Sequence, residues 1–201
     1  IAFGHQRLIV IEPDGGEQPR VDAETNNALV FNGELYGYKK HIEDLNKLNI
    51  KLNDNSDTEV LFQYLQKYGV ETTLEKINGM FAFAYFDAIE ENLFLARDRF
   101  GEKPLYYAIS QGVLVFASEL QSIRKHPLFK NSELNINAIS QYLHFDYIPN
   151  EGTLYKNIYK LKPGNYLTWN KGVVRIKSYW KPQHNILNTG KNINENECIE
   201  Q

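Results

Sequence analysis

The chain has 201 residues, 42% of them apolar and 23% charged, with a net charge of −3. That is enough for one large domain or a domain with a tail, and it gives no electrostatic case for nucleic acid or an anionic membrane surface. No apolar run reaches the length of a bilayer span, no charged leader with an apolar core opens the sequence, and the single cysteine, Cys198, excludes an intrachain disulfide and a cysteine-based zinc site.

Leu8 to Ile11 is an apolar run ended by the turn signal Glu12-Pro13-Asp14-Gly15-Gly16. The sequence starts at Ile1 rather than Met, inside what reads as a strand, so the native N-terminus is expected to lie upstream. Ala28 to Phe31 reads as a second strand, ended by Asn32-Gly33. Tyr38, Ile42, Leu45 and Leu48 recur at helical spacing. Ser56 and Glu59 fit a capping box, with Val60, Leu61, Tyr64, Leu65 and Tyr68 as the apolar face behind it and Gly69 as the C-cap.

Met80 to Phe86 and Asn92 to Arg97 read as a buried hairpin, and Leu105 to Ile109 with Val113 to Ala117 as another. Glu119 to His126 is a short helix stopped by Pro127, and Asn137 to Leu143 is a further one, capped by Asn135 or Asn137. Tyr166 to Trp169 and Val173 to Ile176 make a last hairpin. From Lys181 onward Asn, Lys and Glu dominate, which reads as a linker or the start of another domain. Hairpins with helices among them predict an α+β layered domain, its sheets packed face to face and covered by helices.

Four places could carry chemistry. Asn32-Gly33 is either a type I′ hairpin turn or an oxyanion hole, in which the side-chain amide and the glycine N–H aim at one oxygen. Asp57 is either a first-turn carboxylate favoured by the helix dipole or an acceptor for a substrate ammonium. Arg7 is either a solvated strand flank or a two-pronged holder of a carboxylate. The run Arg97-Asp98-Arg99-Phe100-Gly101-Glu102-Lys103-Pro104 is either a turn closed by internal ion pairs or the wall of a ligand channel or docking surface. No serine or cysteine close to His5 in the sequence forms a partner motif with it, and Cys198 has no basic neighbour in the sequence to activate it. No phosphate loop, metal-ligand cluster or dinucleotide fingerprint is present.

The segments GHQRLIVIE, FNGELYGY, NDNSDTEV, INGMFAFAYFD, LFLARDRFGEKPLYYA and VFASELQSI follow one another in this order, with KLKPGNYLTWNKG and SYW closing the series. Together they resemble the N-terminal glutaminase domain of glutamine-hydrolysing asparagine synthetases, a class II glutamine amidotransferase, over residues 1–180. Residues 181–201 are left as linker and the start of a synthetase domain.

The resemblance implies an N-terminal-nucleophile hydrolase fold, a four-layer αββα sandwich of two antiparallel sheets, here lacking its first strands. It implies that Asn32 and Gly33 form the oxyanion hole, that Arg7 holds the glutamine carboxylate, that Asp57 binds its α-amino group, and that Glu34 lies in the same binding motif. Gly37 departs from the pattern, where the family often has Asn.

The family's nucleophile is an N-terminal cysteine whose α-amino group acts as base. It is absent from this sequence, so the chain by itself is expected to be inactive. The implied partners are glutamine and a C-terminal synthetase domain that uses ATP and Mg²⁺ to amidate aspartate, in the cytoplasm. No metal is implied in this domain, and the oligomeric state, a homodimer included, stays open. Two alternatives are an amidotransferase for another acceptor and a non-catalytic glutamine-binding module.

Overall fold

The computed structural model describes residues 1–6, 15–149 and 151–182. Arg7, the expected strand Leu8 to Ile11, most of the turn after it, and the tail with Cys198 lie outside the described residues.

Two antiparallel sheets form the centre. The larger has six strands in the order β1 (Arg20–Val21), β2 (Ala28–Leu35), β3 (Gly79–Asp87), β4 (Asn92–Arg97), β8 (Asn165–Asn170) and β9 (Val173–Ser178). The smaller has the order β6 (Val113–Ala117), β5 (Tyr106–Ser110) and β7 (Ile158–Lys160). The helices are α1 (Tyr38–Lys47), α2 (Asp57–Lys76), α3 (Leu120–Arg124) and α4 (Ile136–Phe145).

The layering follows from the period of two along each strand. Leu29 and Phe31 of β2, with Phe81, Phe83 and Tyr85 of β3, join Leu45 of α1 and Val60, Leu61, Tyr64 and Leu65 of α2 in one core. Their neighbours Val30, Ala82 and Ala84 face the other way, into a second core shared with Leu105 just before β5, Tyr107 within it, and Leu93, Leu95 and Leu167. The far side of the small sheet packs Ala108 and Ile158 against Ile123 of α3 and Phe129. The result is the expected helix–sheet–sheet–helix order.

Local chemistry explains several boundaries. The Ser56 hydroxyl accepts from the Glu59 N–H at 3.1 Å and caps α2. The return half of the expected capping box is not made. Glu59 turns inward to Arg20 and to Asn53, and the Ser56 N–H donates to Asp54 instead. Gly69 breaks the helix with a φ of 73°, but helical turns resume at once and run to Lys76, so it is a kink rather than an end. Asn135 caps α4 by accepting from the Ala138 N–H. β1 and β7 are too short and too polar to be visible in the sequence. Both exist because a neighbouring strand supplies their hydrogen bonds.

Candidate active site

Asn32-Gly33 does not end β2. The strand runs on to Leu35, with Asn32 opposite Ala82 and Gly33 opposite Phe81. This removes the hairpin-turn reading. It also fixes where the backbone of Gly33 points. Phe81 exchanges its hydrogen bonds with Asp98 on the β4 side: its C=O accepts from the Asp98 N–H at 2.8 Å, and its N–H donates to Asp98 Oδ2 at 3.3 Å. By the alternation of an antiparallel ladder, Gly33 opposite it faces away from β3, toward the outer edge of β2.

That outer edge is covered piecemeal. β1 pairs Arg20 with Leu29 and Val21 with Ala28, then stops. The Gln18 carboxamide takes both polar groups of Phe31, accepting its N–H at 2.6 Å and donating to its C=O at 2.9 Å. Asp57 Oδ2 accepts the Leu35 N–H at 3.1 Å. Gly33 lies between these two clamps, with no strand beside it among the described residues, and it lines a cleft of about 720 Å³.

A side chain at position 33 would not fit. A Cβ there would stand 2.7 Å from the Phe81 Cα, nearer still to the Met80 carbonyl, at a φ of 155°. Asn32 and Glu34 share the Val30 face of β2 by the strand period, and both line the cleft. Asp57 reaches it from the other side as the first residue of α2, where the helix dipole favours a carboxylate; only 4% of it is exposed. The residues expected to act together, Asn32, Gly33, Glu34 and Asp57, therefore do meet in one cleft. Arg7 falls outside the described residues.

The start of α2 is held by charge. Arg20 bonds the buried Glu59 at 2.6 Å and lies 3.6 Å from Asp54. Glu59 also accepts from Asn53 and Gln63. Burial raises the Asp54 carboxyl, but hydrogen bonds from Ser56 and Gly16 and the charge of Arg20 outweigh it and hold it below the ordinary carboxylate range. A buried pair like Arg20–Glu59 adds little net stability but is costly to break, so it fixes geometry. It ties β1, and with it Gln18, to the helix that carries Asp57.

The loop 97–104 is closed, but not by the internal ion pairs expected of it. No ion pair joins two of its residues among the described side chains; the charges are used on backbone groups instead. Asp98, 1% exposed, accepts from the N–H groups of Phe81, Phe100, Glu102 and Lys103. Arg97 donates to the carbonyls of Lys103, Leu161 and Gly101. Burial pulls the Arg97 guanidinium below its ordinary value. Lys103 and Pro104 then form part of the cleft wall.

Sequence reasoning missed Gln18, Arg20 and Asp54. A long-range strand register brings Gln18 to Phe31, and no local pattern announces it. Among the described residues no group of three His, Cys, Asp or Glu side chains is placed to hold a metal ion, and no helix is long and apolar enough to cross a membrane.

Residues 1–180 match the family described as "Glutamine amidotransferase domain". The chain is 34% identical over 190 residues to asparagine synthetase [glutamine-hydrolyzing] 1 of Bacillus subtilis, a match covering 94% of this chain and 30% of that protein. It is 32% identical over 168 residues to amidase chry2 of Gibberella zeae, covering 83% of this chain and 24% of that protein. Its fold resembles that of glutamine phosphoribosylpyrophosphate amidotransferase of B. subtilis, with a TM-score of 0.56 and 20% identity over 82% of this chain and 32% of that one. The chain thus spans about a third or less of the length of these proteins. It belongs to the glutamine amidotransferase domain family.

Proposed function

We propose that this domain hydrolyses the side-chain amide of glutamine to glutamate and ammonia. The observation that supports this best is the outer edge of β2, where clamps cover Phe31 and Leu35 and leave the Gly33 N–H between them facing the cleft. An amide carbonyl seated there gains a negative charge as it becomes tetrahedral. The Gly33 N–H and the Asn32 side-chain N–H would donate to that oxygen, and such a donor contributes about 2.7–4 kcal/mol to the transition state. Asp57 would accept from the substrate α-ammonium and Arg7 would pair with its carboxylate, with Glu34 in the same wall.

The attacking group in this reading is the thiolate of an N-terminal cysteine in the complete gene product, activated by its own α-amino group. The sulfur bonds the amide carbon, the C–N bond breaks, and the nitrogen leaves as ammonia with the proton from that amine. Water then hydrolyses the thioester to glutamate.

The complete protein, in the same reading, is an asparagine synthetase of the cytoplasm. A C-terminal synthetase domain would activate aspartate with ATP and Mg²⁺ and receive the ammonia. The relative named asparagine synthetase supports this acceptor. Another relative is named an amidase rather than an asparagine synthetase, and a second reading passes the ammonia to another acceptor; the glutaminase chemistry is the same in both.

Kinetics of the complete gene product test the proposal. Asn32→Ala is expected to lower kcat for glutamate release by about 10²–10³-fold with the melting temperature unchanged. Equal kcat values would remove Asn32 from the oxyanion hole.

A further inference from the structure

Gln18 stands where a backbone residue is expected. Continuing the β1–β2 register by two residues from Arg20 opposite Leu29 puts position 18 opposite Phe31. Two residues further it puts Gly16 opposite Gly33. A strand that kept pairing through those positions would take the Gly33 N–H into the sheet.

The chain avoids this outcome in two steps. At position 18 the side chain, not the backbone, exchanges both hydrogen bonds with Phe31. Gly16 is drawn elsewhere, its N–H donating to Asp54 Oδ2 at 3.1 Å beside the start of α2. A carboxamide suits the task because it carries one acceptor and one donor in a plane, the complement of one residue's N–H and C=O.

We infer that Gln18 is a positioning residue that satisfies Phe31 with its side chain, ends the ladder one pair short of Gly33, and so holds the Gly33 N–H open for a substrate oxygen. The identity of that oxygen rests on the glutaminase reading; the clamp on Phe31 does not. Gln18 acts through Phe31 and the strand it belongs to.

The consequence falls on the transition state more than on substrate binding, because the oxyanion needs the Gly33 donor only as charge develops. In the complete gene product, Gln18→Met and Gln18→Glu are expected to lose about tenfold in kcat at neutral pH, with KM within about threefold of wild type. The two variants part as the pH falls toward the ordinary glutamate value of about 4.3. Once protonated, the carboxyl introduced by Gln18→Glu regains a donor for the Phe31 carbonyl, so the ratio of that variant's kcat to that of wild type rises. The Gln18→Met ratio stays flat. A role confined to stability would lower the melting temperature and leave both ratios independent of pH.

Amide exchange gives a readout that needs no activity. The Phe31 N–H is expected to exchange slowly in wild type and markedly faster in Gln18→Met. Unchanged kcat in both variants, or a flat pH ratio for Gln18→Glu, overturns the inference. A wild-type protein that releases no glutamate overturns the glutaminase reading instead. The Phe31 exchange rates then decide the clamp on their own, and equal rates in wild type and Gln18→Met overturn it.

Discussion

The loop 97–104 and the outer edge of β2 are both dense in polar groups, and they use them in opposite ways. In the loop, one buried carboxylate takes four backbone N–H groups and one guanidinium takes three carbonyls. Its charges serve the fold. At the β2 edge, side chains take the residues on either side of Gly33, and among the described residues none takes Gly33 itself. Charge density alone would have favoured the loop as the reactive place. What separates the two is which donors remain for a ligand once the protein's own hydrogen bonds are made.

Three substitutions bear on this contrast, and a fourth gives a baseline. Gly33→Ala puts a methyl group into the backbone of β3, which cannot step aside as a flexible side chain can. We expect a loss of about 4 kcal/mol or more in chemical denaturation, beyond what most single substitutions cost. A mild loss would mean that β2 and β3 can separate locally.

Arg20→Met leaves the Glu59 carboxylate buried without its cation, at a cost of about 3–5 kcal/mol. It should also loosen β1 from α2, seen as faster amide exchange at Leu29 and Phe31. Asp98→Ala removes the acceptor of four backbone N–H groups, of which the bond from Phe81 is buried and the other three are part-buried. The expected cost is about 2–3 kcal/mol. If the two regions are as distinct as described, this variant loses stability while KM for glutamine stays close to wild type.

His41 belongs to neither region and gives a baseline. Its Nδ1 lies 2.8 Å from the Tyr64 hydroxyl, and burial pushes the imidazole below its ordinary value near 6.5. Between that value and the lower folded one, the unfolded chain binds more protons. Stability is therefore full above about pH 6.5 and falls as the pH drops through this window. His41→Gln should flatten that slope in pH-dependent melting.

Most of the fold was legible because its signals are local. The β3–β4, β5–β6 and β8–β9 hairpins follow from apolar runs split by turn residues, and the starts of α2 and α4 follow from Ser56 and Asn135. The errors come from tertiary structure overriding a local signal. Asn32-Gly33 has the composition of a turn, but β3 pairs along its whole length and carries the strand through. Glu59 has the spacing of a capping box, but Arg20 draws it inward. The candidate site residues Asn32, Gly33, Glu34 and Asp57 were legible through a family resemblance, and the fold brings them into one cleft. Gln18 was not legible, because its partner is 13 residues away and the register joining them exists only once β1 has formed.

Glutamine binding in the cleft is the premise on which the site roles rest. Calorimetry would compare the complete gene product with its Asp57→Asn variant, which keeps an acceptor for the Leu35 N–H but loses the charge. The expected result is saturable heat with L-glutamine for the wild type and a loss of about 1.5–3 kcal/mol in affinity for the variant, the contribution of a hydrogen bond to a charged group. Equal affinities for the two proteins would contradict it.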